Sequence, residues 1–277
     1  MNQILNRIKY SIILLFILFA TLLYAQNKYP IILVHGFMGW GREEMGSYRY
    51  WGGKNDIEQE LKDRGYQVYT ANVGPLSSNW DRAIELYYQI KGGAVDYGKG
   101  HSQLFGTIQK PKGKVYKGLY PKWDKNHPVH LVGHSLGGQT IRMLDYLLKT
   151  SILDSLNINE KSDLLGNIHI GWIKSITSIS SPHNGTTLSD IVTNGIPFLQ
   201  DFIALGSVVG STFYNFDLEQ WGFKRKKGES LRSYFTRMQK HPAWGTKNIV
   251  SWDVSVQGAR ELNTLCIANP NIYYFSF

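Results

Sequence analysis

The stretch VHLVGHSLGGQT, Val129 to Thr140, sets a serine between two glycines, Gly133-x-Ser135-x-Gly137. The residues before it form a short apolar, β-branched run of the kind buried in a strand. Those after it, GQTIRMLDYLLKT, put Ile141, Leu144 and Leu148 on one helical face. A serine in so sharp a strand-to-helix turn is pushed out toward solvent, and the glycines let strand and helix approach closely. The backbone N–H of Leu136, at the helix N-terminus, is placed to receive an oxyanion. A second donor is expected from the loop after an earlier strand; VHGFMGWG (34–41) follows such a strand, and the N–H of Phe37 is the candidate. The chemistry is acyl transfer by a serine nucleophile, which needs a base to take the hydroxyl proton and an acid to orient that base. A glycine-rich turn without chemistry is the plainer reading of the motif alone, and the His-Gly loop upstream weighs against it.

These residues must be held by a regular scaffold. YPIILVHG, QVYTANV, HPVHLVG and GWIKSITSIS read as strands. DIEQELKDRGY reads as a helix with Ile57 and Leu61 four apart and Gly65 placed to stop it; SSNWDRAIELYYQIKGG reads as another, with Trp80, Ile84, Tyr87 and Tyr88 on one face. Strands alternating with amphipathic helices predict an α/β fold, a mostly parallel sheet covered on both faces. From Ile191 to about Thr246 the pattern turns helical and aromatic-rich, in IPFLQDFIALGSVVGSTFYNF and SLRSYFTRMQ, with no convincing strand. NIYYFSF reads as one more strand, left uncovered on its far side.

The chain has 277 residues, 43% of them hydrophobic and 13% aromatic, the make-up of a packed globular protein. It carries no internal repeat and no low-complexity tract. Residues 11–25, SIILLFILFATLLYA, hold no charge and follow Arg7 and Lys9. That run is shorter than the ~20 residues of a bilayer span. It suits a secretory signal peptide cleaved near Ala25, with an uncleaved anchor as the alternative. Residues 1–25 contain two of the 30 basic residues and none of the 21 acidic ones, so the net charge of +9 becomes +7 once they are removed. Basic residues are scattered apart from FKRKKG (223–228), read as a solvated loop, and no nucleic-acid motif is present. Cys266 stands alone, so no internal disulfide can form, and stability has to come from a sizeable core or from metal.

Several longer strings are tied to no general requirement of a fold: YPIILVHGFMGWGREEMGSYRYWGG, VGPLSSNWDRAIELYYQIKGGAVDYGKGH, GHSLGGQTIRML, SPHNGTTL, DLEQWGF and WDVSVQGARELN. In this order, from about Tyr29 to Phe277, they resemble the secreted bacterial lipases of the Geobacillus and Staphylococcus type. The resemblance implies an α/β-hydrolase that hydrolyses triacylglycerols and shorter esters at a lipid–water interface. It implies Ser135 as nucleophile, Phe37 and Leu136 as oxyanion donors, and a lid over 191–246. Leu136 stands where many relatives have glutamine, a difference of little weight when the backbone donates. No nucleic-acid or protein partner is expected.

An α/β-hydrolase presents its acid and then its histidine after the serine. Here His169, His183 and His241 follow Ser135. His169 lies just before a strand, away from the active edge, and His241 reads as lid surface. His183, in SSPHNG, lies at the right edge, but the resembled family has a structural histidine there beside a separate catalytic one. The resemblance puts the catalytic acid and base, and a Ca2+ site, beyond Phe277. The expectation is therefore a C-terminally incomplete lipase domain over 26–277 with little activity of its own. A carboxylesterase or acyltransferase of the same fold, and a non-catalytic lipid-binding remnant, are the rival readings.

Asp81, His101 and Asp253 occupy positions where the resembled family binds a structural Zn2+. From spacing alone, Asp81 could equally cap a helix near Ser78. The family's second zinc histidine is missing: HSQLFGTIQKPKG has Thr107 near that position, leaving His127 or a water to complete the site, or the site empty.

Overall fold

The computed structural model describes residues 7–15, 28–152, 162–187, 219–222 and 226–277. Residues 7–15 are helical, with Ile8, Ile12, Ile13, Leu14 and Leu15 exposed. Among the described residues no helix is long and apolar enough to cross a membrane.

Five strands form one sheet: β1 (Ile31–Val34), β2 (Val68–Ala71), β5 (Val129–His134), β6 (Ile173–Ile179) and β7 (Tyr273–Ser276). Their order is β2-β1-β5-β6-β7 and every pairing is parallel. All five coincide with strands expected from the sequence. Ile32, Leu33 and Val34 are all buried; a central strand covered on both faces needs an unbroken apolar run rather than an alternating one. A separate antiparallel pair, β3 (Gly93–Ala94) and β4 (Val115–Tyr116), was not legible in the sequence, because two-residue strands leave no periodicity to read.

After the helix at 7–15, the described helices in chain order are α1 (Ile57–Asp63), α2 (Asn79–Lys91), α3 (Lys99–Phe105), α4 (Leu136–Lys149), α5 (Leu231–Gln239), α6 (Val250–Asp253) and α7 (Val256–Leu265). Capping explains several boundaries. Asp56 accepts from the Gln59 N–H at the start of α1, Ser78 from the Asp81 N–H at the start of α2, and Ser255 from the Gly258 N–H at the start of α7. Helix α2 is more buried than its pattern suggests: Asn79 and every residue from Asp81 to Ile90 are buried, not one face alone. The polar side chains among them are satisfied internally. Glu85 accepts from the Tyr97 hydroxyl at 2.5 Å, the Gly74 N–H at 2.6 Å and Lys114 Nζ at 2.9 Å. Removing one partner of such a buried ion pair typically costs ~3–5 kcal/mol.

Within 191–246 the described part holds two 3-10 turns, Glu219–Trp221 and Pro242–Gly245, and α5 between them. Trp221 and Tyr234 join Leu76, Leu136, Ala243, Ile249, Val250 and Val254 in an apolar cluster separate from the main core. Phe37 and Met38 pack against it. Phe198, Phe202, Phe213, Tyr214, Phe216 and the side chain of Phe235 lie outside the described residues.

Candidate active site

The chain leaves β5 at His134 and enters α4 at Leu136, so a single residue makes the turn. Ser135 makes it at φ 55° and ψ −125°, a conformation in which a side chain is strained and glycine is not. The flanking glycines are required. A Cβ on Gly133 would sit 2.4 Å from the backbone carbonyl of Gly137, and one on Gly137 would sit 2.3 Å from Val34 O of β1. Strand, elbow and helix are packed backbone against backbone. The Ser135 hydroxyl has no hydrogen-bond partner among the described residues. Among the described residues only two other non-glycine residues have positive φ, Met38 at 51° and Ser180 at 49°. They follow the carboxyl ends of β1 and β6, the strands on either side of β5. Strain thus gathers along one edge of the sheet, the edge where open α/β folds bind their ligands.

The loop after β1 crosses directly over the elbow. A Cβ on Gly36 would lie 2.8 Å from Ser135 Cβ and 2.9 Å from His134 O, so only glycine permits this passage. The next residue is Phe37. Among the described residues neither the Phe37 nor the Leu136 N–H donates a hydrogen bond, which leaves both donors available beside the serine. The Tyr50 hydroxyl accepts from the Gly36 N–H at 2.9 Å and meets His134 Nδ1 at 2.6 Å. It borders an open cleft of about 290 Å³ lined by Trp40, Tyr48, Trp51 and His134 among others. Burial holds the Tyr50 hydroxyl above its ordinary pKa and keeps it protonated.

Arg82, fully buried on α2, ties this construction together. Its guanidinium donates to His35 O, to Gly74 O at 2.8 Å and to Thr140 Oγ1 on α4 at 2.8 Å. The planar fork reaches the loops after β1 and β2 and the elbow helix at once, a task lysine's single ammonium cannot perform. No sequence pattern announced this residue.

His35 is fully buried; Nδ1 bonds Gly36 O at 2.9 Å and Nε2 accepts from the Val73 N–H at 3.3 Å. Burial, with the Arg82 charge nearby, lowers its pKa from 6.5 to about 3. Between pH 3 and 6.5 the unfolded chain binds a proton at this position that the folded chain refuses, so His35 makes stability rise with pH over that window. The slope is about 1.4 kcal/mol per pH unit in the middle of the window. Urea unfolding of the parent and of His35→Asn at pH 5 and pH 6 should show the difference between the two proteins changing in the parent's favour by about that amount; equal changes would contradict the buried neutral imidazole.

None of the eight histidines serves Ser135 as a base. His183, the one candidate at the right edge, meets Ser178 Oγ at 2.9 Å through Nε2 and Arg142 at 3.3 Å through Nδ1. It links β6 to α4. His134 belongs to Tyr50, His35 to the loop beneath it, His101 to Asp81 and His130 to Ser175. His169 meets Asp163 O, and His241 accepts from the Ala243 N–H at the start of its 3-10 turn.

The metal-ligand set is assembled only in part. Asp81 Oδ1 and His101 Nε2 lie 3.0 Å apart, while Asp253 Oδ2 accepts from the Asn79 N–H. Burial, with Asp81 nearby, raises the Asp253 pKa to about 7. Among the described residues no three His, Cys, Asp or Glu side chains gather as a metal site. His127 does not complete one: it is exposed and pairs with Asp124 at 2.9 Å. These donors do not fit a closed four-ligand zinc site.

Residues 27–277 match a family described as the lipase-like C-terminal domain. The chain is 40% identical over 262 residues to Lipase 1 of Staphylococcus aureus strain NCTC 8325, covering 91% of this chain and 38% of that protein. It is similar to the Staphylococcus hyicus lipase structure, with a TM-score of 0.82 and 38% identity over 90% of this chain and 66% of that one. EstA from Clostridium botulinum gives a TM-score of 0.78 and 44% identity over 90% of this chain and 59% of that one. The chain spans 38% of the length of the Staphylococcus aureus lipase it matches.

Proposed function

Because the chain belongs to the family of lipase-like C-terminal domains, with the α/β-hydrolase fold, we propose that it forms the nucleophile-bearing body of a secreted carboxylic ester hydrolase acting on triacylglycerols. Ser135 attacks the ester carbonyl, the N–H groups of Phe37 and Leu136 receive the oxyanion, and an acyl-enzyme forms as the alcohol leaves. The observation that carries the reading is the strained Ser135 set under Gly36, with two unengaged N–H groups beside it. The apolar cluster in which Trp221 and Tyr234, from the 191–246 lid segment, pack with Leu136 and Phe37 supports an acyl-binding region between the elbow and that lid. Residues 1–25 act as a signal peptide.

The base and its acid come from residues beyond Phe277. All eight histidines are committed elsewhere, and the relatives that match are longer. A serine without a base keeps its proton, so the 277-residue chain by itself turns over slowly. The same observation favours one second reading, a lipid-binding remnant without catalysis.

The intact mass of the protein its host secretes separates the two, read together with hydrolysis of emulsified triacylglycerol. A mass above that of residues 26–277, with turnover abolished by Ser135→Ala, is the expected result. A mass matching 26–277, no turnover, and lipid-vesicle binding unchanged by Ser135→Ala would establish the remnant instead.

A further inference from the structure

Around Asp81 the structure holds something other than a depleted metal site. The carboxylate is 1% exposed and both of its oxygens are engaged. Oδ1 faces His101 Nε2 at 3.0 Å; Oδ2 accepts from Asn248 Nδ2 at 3.1 Å and from Gln220 Nε2 at 3.3 Å. We propose that this chain has, in place of the zinc that the family resemblance implies, a metal-free latch, in which His101, Asn248 and Gln220 grip the Asp81 carboxylate and Thr107 stands where a second imidazole would be needed.

The partners are themselves fixed. The His101 ring stacks on Trp80 at 5.0 Å and 9° and meets Phe105 at 4.8 Å, which aims Nε2 at Asp81. The Gln220 side chain donates to Ser77 Oγ at 2.9 Å, and the Gln220 backbone carbonyl accepts from the Ile108 N–H at 2.6 Å. Asn248 Oδ1 accepts from the Ser78 hydroxyl at 2.5 Å. Amide N–H groups converging on a carboxylate oxygen present positive hydrogens to the place a cation would occupy. They satisfy the buried carboxylate by hydrogen bonding, as a buried charge requires. Asp253, the third expected ligand, is turned to the Asn79 N–H. The Thr107 hydroxyl is buried and finds no hydrogen-bond partner among the described residues, so it reaches neither Asp81 nor His101. Two or three donors where zinc takes four make a weak site. The latch ties α2, α3, the 219–221 turn and the segment before α6 to one carboxylate, the cross-linking that a structural metal would otherwise provide.

The test uses the full chain produced in zinc-supplemented medium, with native mass spectrometry on the compact ions and thermal unfolding by tryptophan fluorescence, each with and without EDTA. The parent should carry no zinc, and EDTA should move its midpoint by less than about 2 °C. Thr107→His should gain one zinc and become EDTA-sensitive. Asp81→Asn should lower the parent's midpoint equally with and without EDTA. Zinc on the parent together with an EDTA-induced fall in its midpoint would overturn the proposal. So would a zinc-free Thr107→His, because the missing imidazole would then not be what keeps the metal out. An unchanged midpoint in Asp81→Asn would show that the latch holds nothing.

Discussion

Alanine at position 137 is expected to lower the stability of the chain by more than about 3 kcal/mol, although it adds a single methyl group. The methyl carbon would lie 2.3 Å from Val34 O and 2.8 Å from His35 O. Both atoms are backbone, in or beside a central strand hydrogen-bonded on its two sides, so no rotamer change relieves the contact. Either α4 moves off the sheet or β1 leaves its register, and each uncovers core. Gly245 is the control. It is not at positive φ, and a Cβ there meets nothing within 4 Å, so Gly245→Ala should fall within about 0.5 kcal/mol of the parent. Urea midpoints of the two variants decide the matter. If Gly137→Ala unfolds alongside Gly245→Ala, the backbone-to-backbone packing of the elbow is wrong.

The same elbow shows why part of the molecule was readable in advance. Strand β1 announces itself because a strand covered on both faces must be a continuous apolar run, the exposed edge strand β7 and the others because β-branched and aromatic residues cluster in short runs, and α1 and α4 because their apolar residues recur at helical spacing. Ser135 is legible because a side chain at φ 55° needs small neighbours, and those neighbours are glycines in the sequence. Arg82 and Tyr50 are not legible. Nothing in NWDRAIE or SYRYWGG says that one side chain crosses to two loops and a helix, or that the other bridges Gly36 and His134; such roles exist only once distant segments are packed. Helix α2 was misjudged for a related reason. Its polar residues looked solvent-facing, yet Glu85 and Gln89 are buried against partners far along the chain. The zinc ligands were inferred by position, and position carries no information on whether Asn248 and Gln220 arrive first.

Stability and catalysis should part company at Ser135. In a longer protein whose downstream segment supplies the base and acid, as proposed above, Ser135→Gly is expected to reduce ester hydrolysis by at least ~10³-fold, since only the oxyanion donors and substrate binding then remain. In the 277-residue chain the same change should raise stability by about 1 kcal/mol. The reason lies in the backbone: φ 55° with ψ −125° costs a side-chain-bearing residue about 1–2 kcal/mol and glycine almost nothing. The lost hydroxyl takes no hydrogen bond with it among the described residues, and the Gly133 and Gly137 contacts that shape the turn are untouched. A serine kept for structure would give the opposite pair of results, weaker folding and unimpaired turnover. Strain held at the reacting residue and relieved only by abolishing the reaction is what a nucleophile elbow requires. Urea midpoints for the chain and initial rates for that longer protein measure the two halves separately. Turnover surviving Ser135→Gly would remove Ser135 from the reaction, whereas a fall in stability would mean that the turn is held by the side chain and not imposed on it.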